Sequence, residues 1–213
     1  MKGLQTLSIL NNLYEEMQEP PSTTFTYAML AEMSRLVEML GKDEPTRELM
    51  KAYLYIADEY MSLRHFTLAR DYYLKALEVL QHCDKNIFED KDALKMFEDC
   101  CVSLLHIYGM MGAEDAMDSI YKLIRDVMPE RLDEIHQKSM KKSDILNDTV
   151  EYTEKYLNIL IELETKIEEE LKGVPQGMSF CFEYWRTKEK ILKEDYGIDW
   201  DSPAVLNPDT RFD

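Results

Sequence analysis

Glycine and proline are scarce in this chain of 213 residues, which contains seven of each. Stretches rich in valine, isoleucine and threonine, which favour strands, are nearly absent, whereas methionine, leucine, glutamate and lysine are common. The latter residues favour helix. The composition therefore argues against a sheet protein. It predicts an all-α fold, with a chain long enough for one substantial core or for a short series of helical repeats.

Long apolar runs and patterned cysteines are also lacking. No stretch of about 18 apolar residues occurs, so we expect no membrane span, and the first residues contain no apolar run of signal-peptide length. The spacing of the four cysteines fits neither a disulfide framework nor a CxxC metal site. They are Cys83, Cys100, Cys101 and Cys181. We expect a cytoplasmic protein whose cysteines are buried free thiols.

Acidic residues greatly outnumber basic residues in this chain. The chain has 25 Lys and Arg against 42 Asp and Glu, a formal net charge of −17. This balance disfavours nucleic acids and anionic membranes as partners, because both would be repelled. Two interpretations stay open. The charge keeps the surface solvated, or it lines a groove that attracts basic segments of a partner.

Turn and cap residues divide the chain into a series of predicted helices. Pro20 and Pro21 end the first helix, and Gly41 caps the second. Only Arg64 and His65 separate the third helix from the fourth, so this pair must be antiparallel. The predicted helices are Leu4–Met17, a second ending at Leu40, Pro45–Leu63, Phe66–Gln81, Ala93–Met110, Glu114–Met128, Ser143–Lys172 and Ser179–Lys193, with Glu130–Met140 as a short helix or a helix-like loop.

The long predicted helix Ser143–Lys172 carries a stripe at heptad spacing, in which six of eight positions are apolar. The stripe comprises Leu146, Val150, Thr153, Leu157, Leu160, Glu164, Ile167 and Leu171. It packs against the preceding helices, or it forms the seam of a homodimer. The two polar positions weaken the case for a coiled coil.

The last residues form a tail that differs from the rest of the chain. Gly197, Pro203 and Pro208 prevent one continuous helix, yet the tail carries Tyr196, Trp200 and Phe212, and disordered tails are poor in aromatic residues. We therefore predict a single helical domain over residues 1–195 and an ordered, docked, non-helical tail over 196–213. The tail caps the end of the helical array, or it occludes a binding groove.

Two neighbouring helices carry a pattern of small and large residues. Its positions are Tyr53, Ile56, Ala57, Tyr60, Ala69, Tyr73 and Ala76. The pattern resembles the tetratricopeptide repeat (TPR), in which small residues allow close helix crossings and large ones fill the gaps. The resemblance is clear over residues 50–80. A weaker copy over residues 101–129 comprises Cys101, Leu104, Leu105, Tyr108, Ala116, Ile120 and Pro129. The resemblance implies antiparallel hairpins in a short, irregular right-handed superhelix.

In TPR proteins the first helices of the hairpins line a groove that binds other polypeptides. By resemblance, the groove here would contain Lys51, Leu54, Tyr55, Asp58, Met61, Ser62, Asp99, Val102 and His106. Tyr55 and Asp58 stand where the family's carboxylate clamp has asparagines, so a terminal carboxylate is not the expected ligand. The mixed lining suits a basic or amphipathic segment. We therefore expect a scaffold, adaptor or chaperone-like protein without a cofactor.

Candidate chemistry is sparse. Asp133 and His136 have the spacing of half a di-iron ligand set, but no second such pair occurs. Glu78 and His82 share a helical face without a metalloprotease motif, and the glycines form no phosphate-binding loop. We expect no enzyme activity. The alternative is a helical-bundle enzyme, or a metal-binding or small-ligand protein, that uses a carboxylate and histidine pocket.

Overall fold

The computed structural model describes residues 12, 23–40, 47–82, 90–140, 145–175 and 177–212. These residues contain helices and connecting segments but no strand, so the predicted all-α class is confirmed for them. Apart from Asn12, the predicted helix Leu4–Met17 lies outside the described residues, as does Cys83. No helix in these ranges has both the length and the apolar character needed to cross a membrane.

The helices are numbered in chain order. They are α1 (Thr23–Leu40), α2 (Arg47–Ser62), α3 (Phe66–His82), α4 (Lys91–Met111), α5 (Glu114–Val127), α6 (Leu132–Met140), α7 (Glu154–Glu170), α8 (Phe180–Tyr196) and the single turn α9 (Pro203–Leu206). Two 3-10 turns, Pro129–Arg131 and Thr149–Tyr152, precede α6 and α7. The predicted second to sixth helices and the final helix are confirmed to within a few residues.

The chain divides into two compact units. Among the described residues, the first unit contains 33–40, 47–82 and 90–140, and the second contains 12, 23–32, 145–175 and 177–212. The division falls within α1, between Glu32 and Met33. The tail belongs to the second unit together with α8, whereas the sequence placed a domain boundary after residue 195.

The first unit is built on close crossings of α2 with α3. Ala57, Ala69 and Ala76 are completely buried, as expected where small residues let two helices approach. The ring of Tyr72 lies 6.1 Å from that of Tyr53 and 5.8 Å from that of Tyr60, measured between centroids. The hairpin therefore combines small residues at the crossing with aromatic rings beside it.

Helix α4 forms the centre of the first unit. It packs against α3, α5 and α6, and every residue from 100 to 108 is buried. Asp90 caps its beginning by accepting a hydrogen bond from the Asp92 amide at 2.8 Å. Gly112 ends it in the left-handed region, with φ of 65°, which glycine adopts at little cost.

The second unit packs α7 against α8 and the turn Thr149–Tyr152. Tyr156, Leu163 and Leu192 are fully buried in its core, and Ile198 and Trp200 of the tail are almost fully buried. The tail is therefore ordered. It includes the helical turn α9, so the prediction of an entirely non-helical tail is wrong over Pro203–Leu206.

The predicted helix Ser143–Lys172 is also wrong at its beginning. Helix α7 begins at Glu154, because the Thr153 hydroxyl caps it by accepting from the Tyr156 amide. Before it, Asp148 accepts from the Val150 amide and starts the 3-10 turn. Leu146 and Val150 therefore lie outside the α-helix, and the heptad stripe is shorter than predicted.

Candidate functional site

Helix α2 has a buried face and an open face. Tyr53, Ile56, Ala57 and Tyr60 on the buried face pack into the first unit. The six predicted groove residues of α2 lie together on the other face, because their spacing follows the helical period. Lys51, Asp58 and Ser62 are exposed, and Leu54, Tyr55 and Met61 are half-buried. The open face thus mixes apolar and polar side chains.

The predicted groove residues of α4 are less accessible. Asp99 is exposed, but Val102 and His106 are each only 8% exposed. The imidazole of His106 meets the ring of Phe66 edge-on, with 6.5 Å between the centroids. These two side chains therefore serve in packing, since α4 is surrounded by three other helices.

A hydrogen-bonded connection joins three helices of the first unit. The Tyr73 hydroxyl on α3 donates to Oδ1 of Asp58 on α2 at 2.5 Å, and it also hydrogen-bonds with Ser103 on α4. Burial and the neighbouring Asp58 carboxylate raise the pKa of Tyr73, which therefore stays protonated as a donor. This contact fixes the Asp58 side chain at the edge of the open face.

Carboxylates concentrate beside this connection. Burial and the nearby Asp58 raise the pKa of Glu59. Burial, Glu98 and Asp58 likewise raise the pKa of Asp99, against the opposing effect of Lys95. Burial and Glu59 raise the pKa of Tyr55 to about 12. Asp58 thus repels both Glu59 and Asp99, so a cation is the charge that this surface would favour.

A cavity of about 460 Å³ lies between the first turns of α4 and the segment leading into α6. Buried Glu98 pairs there with Arg131 at 2.7 Å and Lys138 at 2.5 Å, and Lys91 and Lys95 also line the cavity. Asp99 also lines this cavity. The cations and carboxylates there are largely balanced, so the cavity does not extend the acidic surface around Asp58 and Glu59.

The tail of the second unit is held by its aromatic and polar side chains. Trp200 is buried and donates from Nε1 to Oε1 of Glu151 at 2.7 Å. The ring of Phe212 meets that of Trp185 edge-on at 5.0 Å. Tyr196 is half-buried, and the Lys166 ammonium lies 4.7 Å from the centre of its ring. All three predicted tail residues therefore contact the second unit.

Polar residues that the sequence did not indicate complete this docking. The Asn207 side chain accepts from the Leu146 amide at 2.7 Å and donates to its carbonyl at 2.9 Å. Asp148 accepts from the Asp201 amide at 2.7 Å. The Lys188 ammonium pairs with Glu151 at 2.7 Å and lies 4.5 Å from the centre of the Trp200 ring. No motif marks these residues, because single Asn, Glu and Lys residues are normally solvated.

The described structure does not group the residues that the sequence analysis considered for metal binding or catalysis. Asp133 and His136 are exposed, and the His136 ring contacts the Tyr121 hydroxyl at 2.7 Å. His82 contacts the carbonyl oxygen of Glu78 rather than its carboxylate. Within the part of the chain that the structure describes, no three His, Cys, Asp or Glu side chains are grouped to hold a metal ion.

The cysteines differ in accessibility. Cys100 and Cys101 are buried free thiols, as predicted, whereas Cys181 is a half-buried free thiol. Burial raises the pKa of the Cys101 thiol to about 12 and also raises that of Cys100. Both therefore remain protonated near neutral pH and are poor nucleophiles.

Comparison of the chain with protein-family models, curated proteins and solved structures found no match.

Proposed function

We propose that this protein is a TPR-like interaction protein of the cytoplasm, a scaffold, adaptor or chaperone-like module without catalysis. Its first unit would bind a basic or amphipathic polypeptide segment through the open face of α2. The observation that carries the proposal is the composition of that face. Half-buried Leu54, Tyr55 and Met61 lie beside the carboxylates of Asp58 and Glu59.

The hairpin of α2 and α3 supports the TPR-like assignment. Among the positions that resemble the repeat, the alanines are completely buried, and the two helices that carry them pack against each other. Helix α4 then packs against α3, as the first helix of a following hairpin would. In such an arrangement the open face of α2 and the Asp99 surface of α4 belong to one groove.

The chemistry of this face defines the partner. Apolar side chains that are only partly covered gain from burial against a partner's apolar residues, and methionine adapts to different shapes. Lysine or arginine of the partner would relieve the repulsion of Asp58 with Glu59 and Asp99. A helix with one apolar stripe and flanking basic residues meets both requirements.

Methionine methyl groups offer a direct test. The protein would be labelled with 13C at these methyl groups and titrated with a synthetic amphipathic helical peptide whose polar face carries lysines. We expect saturable shifts of the Met61 signal, with Met178 unchanged, because Met178 is 86% exposed and belongs to the second unit. Salt should weaken the binding, since exposed charges are screened.

Two double variants of equal charge sharpen the test. Asp58→Asn with Asp99→Asn keeps an acceptor for Tyr73 but removes two charges, and it should weaken binding about tenfold, the equivalent of about 1.4 kcal/mol. Asp118→Asn with Asp133→Asn removes two exposed charges elsewhere in the first unit and should have little effect. Equal loss in both variants, or shifts at Met178 instead of Met61, would rule out this site.

A further inference from the structure

Among the described residues, the interior of the second unit holds two carboxyl groups but one ammonium group. Glu151 is 8% exposed, Glu164 is 1% exposed and Lys188 is 6% exposed. Charges removed from water are tolerated only when they are paired and hydrogen-bonded. The three side chains therefore balance only if one of the two carboxyl groups carries a proton.

The contacts show which carboxyl group is ionised. Oε1 of Glu151 accepts from the Lys188 ammonium and from the Trp200 indole, each at 2.7 Å. Its Oε2 accepts from the side-chain amide of Asn147 at 3.3 Å. The Lys188 ammonium also lies 5.2 Å from the centre of the Tyr156 ring. Glu151 has the direct ion pair and donors on both oxygens, as a buried carboxylate requires.

Glu164 has much weaker support for a negative charge. The Tyr184 hydroxyl donates to its Oε1 at 2.7 Å, but its Oε2 is buried without a hydrogen-bond partner. A neutral carboxyl group tolerates this better than a carboxylate would.

Several described elements contribute titratable groups near Glu164. Tyr184 and Lys188 lie on α8, Glu168 is on its own helix, and Glu151 is in the preceding turn. Tyr156 of α7 and Tyr27 of α1 lie beside Tyr184 and add no positive charge. Among these described groups Lys188 is the one cation, and it is already paired with Glu151.

We propose that Glu164 is a proton-binding site that controls the docking of the tail. With Glu164 protonated, Lys188 stays on Glu151 and against the Trp200 ring. When Glu164 loses its proton to water, its carboxylate competes for the Lys188 ammonium. The two contacts of Trp200 then weaken, because its indole donates to Glu151 and its ring packs against the Lys188 ammonium.

The direction of the pH dependence follows from burial. Burial raises the pKa of Glu164 above its ordinary value of 4.5, although Lys188 and Tyr184 oppose the change. A carboxyl group with a raised pKa in the folded state stabilises that state below the unfolded pKa. This contribution is lost as the pH rises through the folded pKa. The second unit should therefore hold its tail more firmly in mildly acidic solution than in alkaline solution.

Tryptophan emission isolates the second unit, because both tryptophans of the chain, Trp185 and Trp200, lie in it. Urea unfolding would be followed by this emission between about pH 5 and about pH 9 for the wild type and for Glu164→Gln. The ratio of the wild-type unfolding constant to that of Glu164→Gln should rise by up to about tenfold per pH unit between the unfolded and the folded pKa of Glu164. It should be constant above the folded pKa, because one proton is released on unfolding only within that interval. Glu169→Gln on the same helix is the control, because Glu169 is exposed and is not among the groups that act on Glu164. The ratio of its unfolding constant to that of the wild type should change little with pH.

Acrylamide quenching then tests the coupling to the tail. With Trp185→Phe, Trp200 is the sole tryptophan, and its quenching should increase about twofold or more with rising pH as the buried ring becomes accessible. The increase should disappear when Glu164→Gln is added. A pH-independent unfolding ratio, or quenching that rises equally with and without Glu164→Gln, would overturn the proposal.

If Glu164→Gln does not fold, infrared spectroscopy of the wild type decides the question. A protonated carboxyl group has its own carbonyl band, which is distinct from that of a carboxylate and shifts in D₂O. We expect this band to persist above the pH at which exposed carboxyl groups lose their protons and to disappear on raising the pH further. Its loss should accompany increased quenching of Trp200 in the Trp185→Phe protein. Loss of the band together with the exposed carboxyl groups would show that Glu164 binds its proton no more tightly than they do and would overturn the proposal.

Discussion

Lys188 illustrates how a single residue can determine the stability of a unit. Lys188→Met would leave Glu151 buried without its ammonium partner. Removing one member of a buried ion pair costs about 3–5 kcal/mol, so we expect the second unit to lose stability by about this amount. Urea unfolding followed by tryptophan emission at neutral pH measures the change.

Two further variants separate this effect from the loss of a surface charge. Lys193, on the same helix as Lys188, pairs with Asp199 at 3.0 Å, but both side chains are exposed. Lys193→Met should therefore leave the unfolding midpoint unchanged. Adding Glu151→Leu to Lys188→Met should recover much of the lost stability, because no unpaired charge remains. Equal midpoints for Lys188→Met and Lys193→Met would contradict the assignment.

At the scale of single residues, the sequence is informative about small and aromatic residues and uninformative about buried charges. Ala57 and Ala69 are identifiable because their size at a helix crossing is the signal. Glu164 stands out only as a polar interruption of an apolar stripe, and Lys188 lies among other charged residues of α8. Their roles depend on partners far along the chain, such as Trp200, which no local pattern connects to them.

Among the helices, α7 shows why boundaries are harder to predict than existence. The apolar spacing continues upstream of Thr153, so periodicity alone extends the helix to Ser143. The side chains of Asp148 and Thr153 accept backbone hydrogen bonds instead and set the boundary. The turn between α2 and α3 was easier to predict, since a connection of two or three residues allows only an antiparallel pair of helices.

Thr153→Ala tests this boundary. The substitution removes the acceptor for the Tyr156 amide and the hydroxyl that donates to the Val150 carbonyl at 2.7 Å. Loss of such a cap costs about 0.5–2 kcal/mol. We expect a decrease of this size in the free energy of unfolding, measured by tryptophan emission in urea. Thr153→Ser should restore most of it.

Thr165 on the same helix provides the matched comparison. Its hydroxyl donates to the carbonyl of Ile161, one turn earlier, and caps nothing. Because alanine has the higher helix propensity, Thr165→Ala should leave stability unchanged within about 0.5 kcal/mol. A loss as large as that of Thr153→Ala would mean that the threonine hydroxyl at position 153 has no special role.

For the whole molecule, the sequence predicts charge and fold class well but not the grouping of its helices. The excess of carboxylates follows from composition alone. By contrast, residues 23–32 belong with residues 145–212 in one unit, and this grouping joins segments more than a hundred residues apart. The apolar stripes of α1 and α7 show that each helix has a buried face, but stripes do not specify partners.

The two units should respond separately to local destabilisation, because each has its own core. Ala69→Leu forces a larger side chain into a completely buried crossing of the first unit, at a cost of about 1–3 kcal/mol. Lys188→Met destabilises the second unit. Hydrogen exchange of backbone amides, read by mass spectrometry, reports on each unit by position. Ala69→Leu should accelerate exchange over residues 100–108 and spare 184–192, whereas Lys188→Met should do the reverse. Equal acceleration of both segments in both variants would show instead that the chain unfolds as one cooperative body.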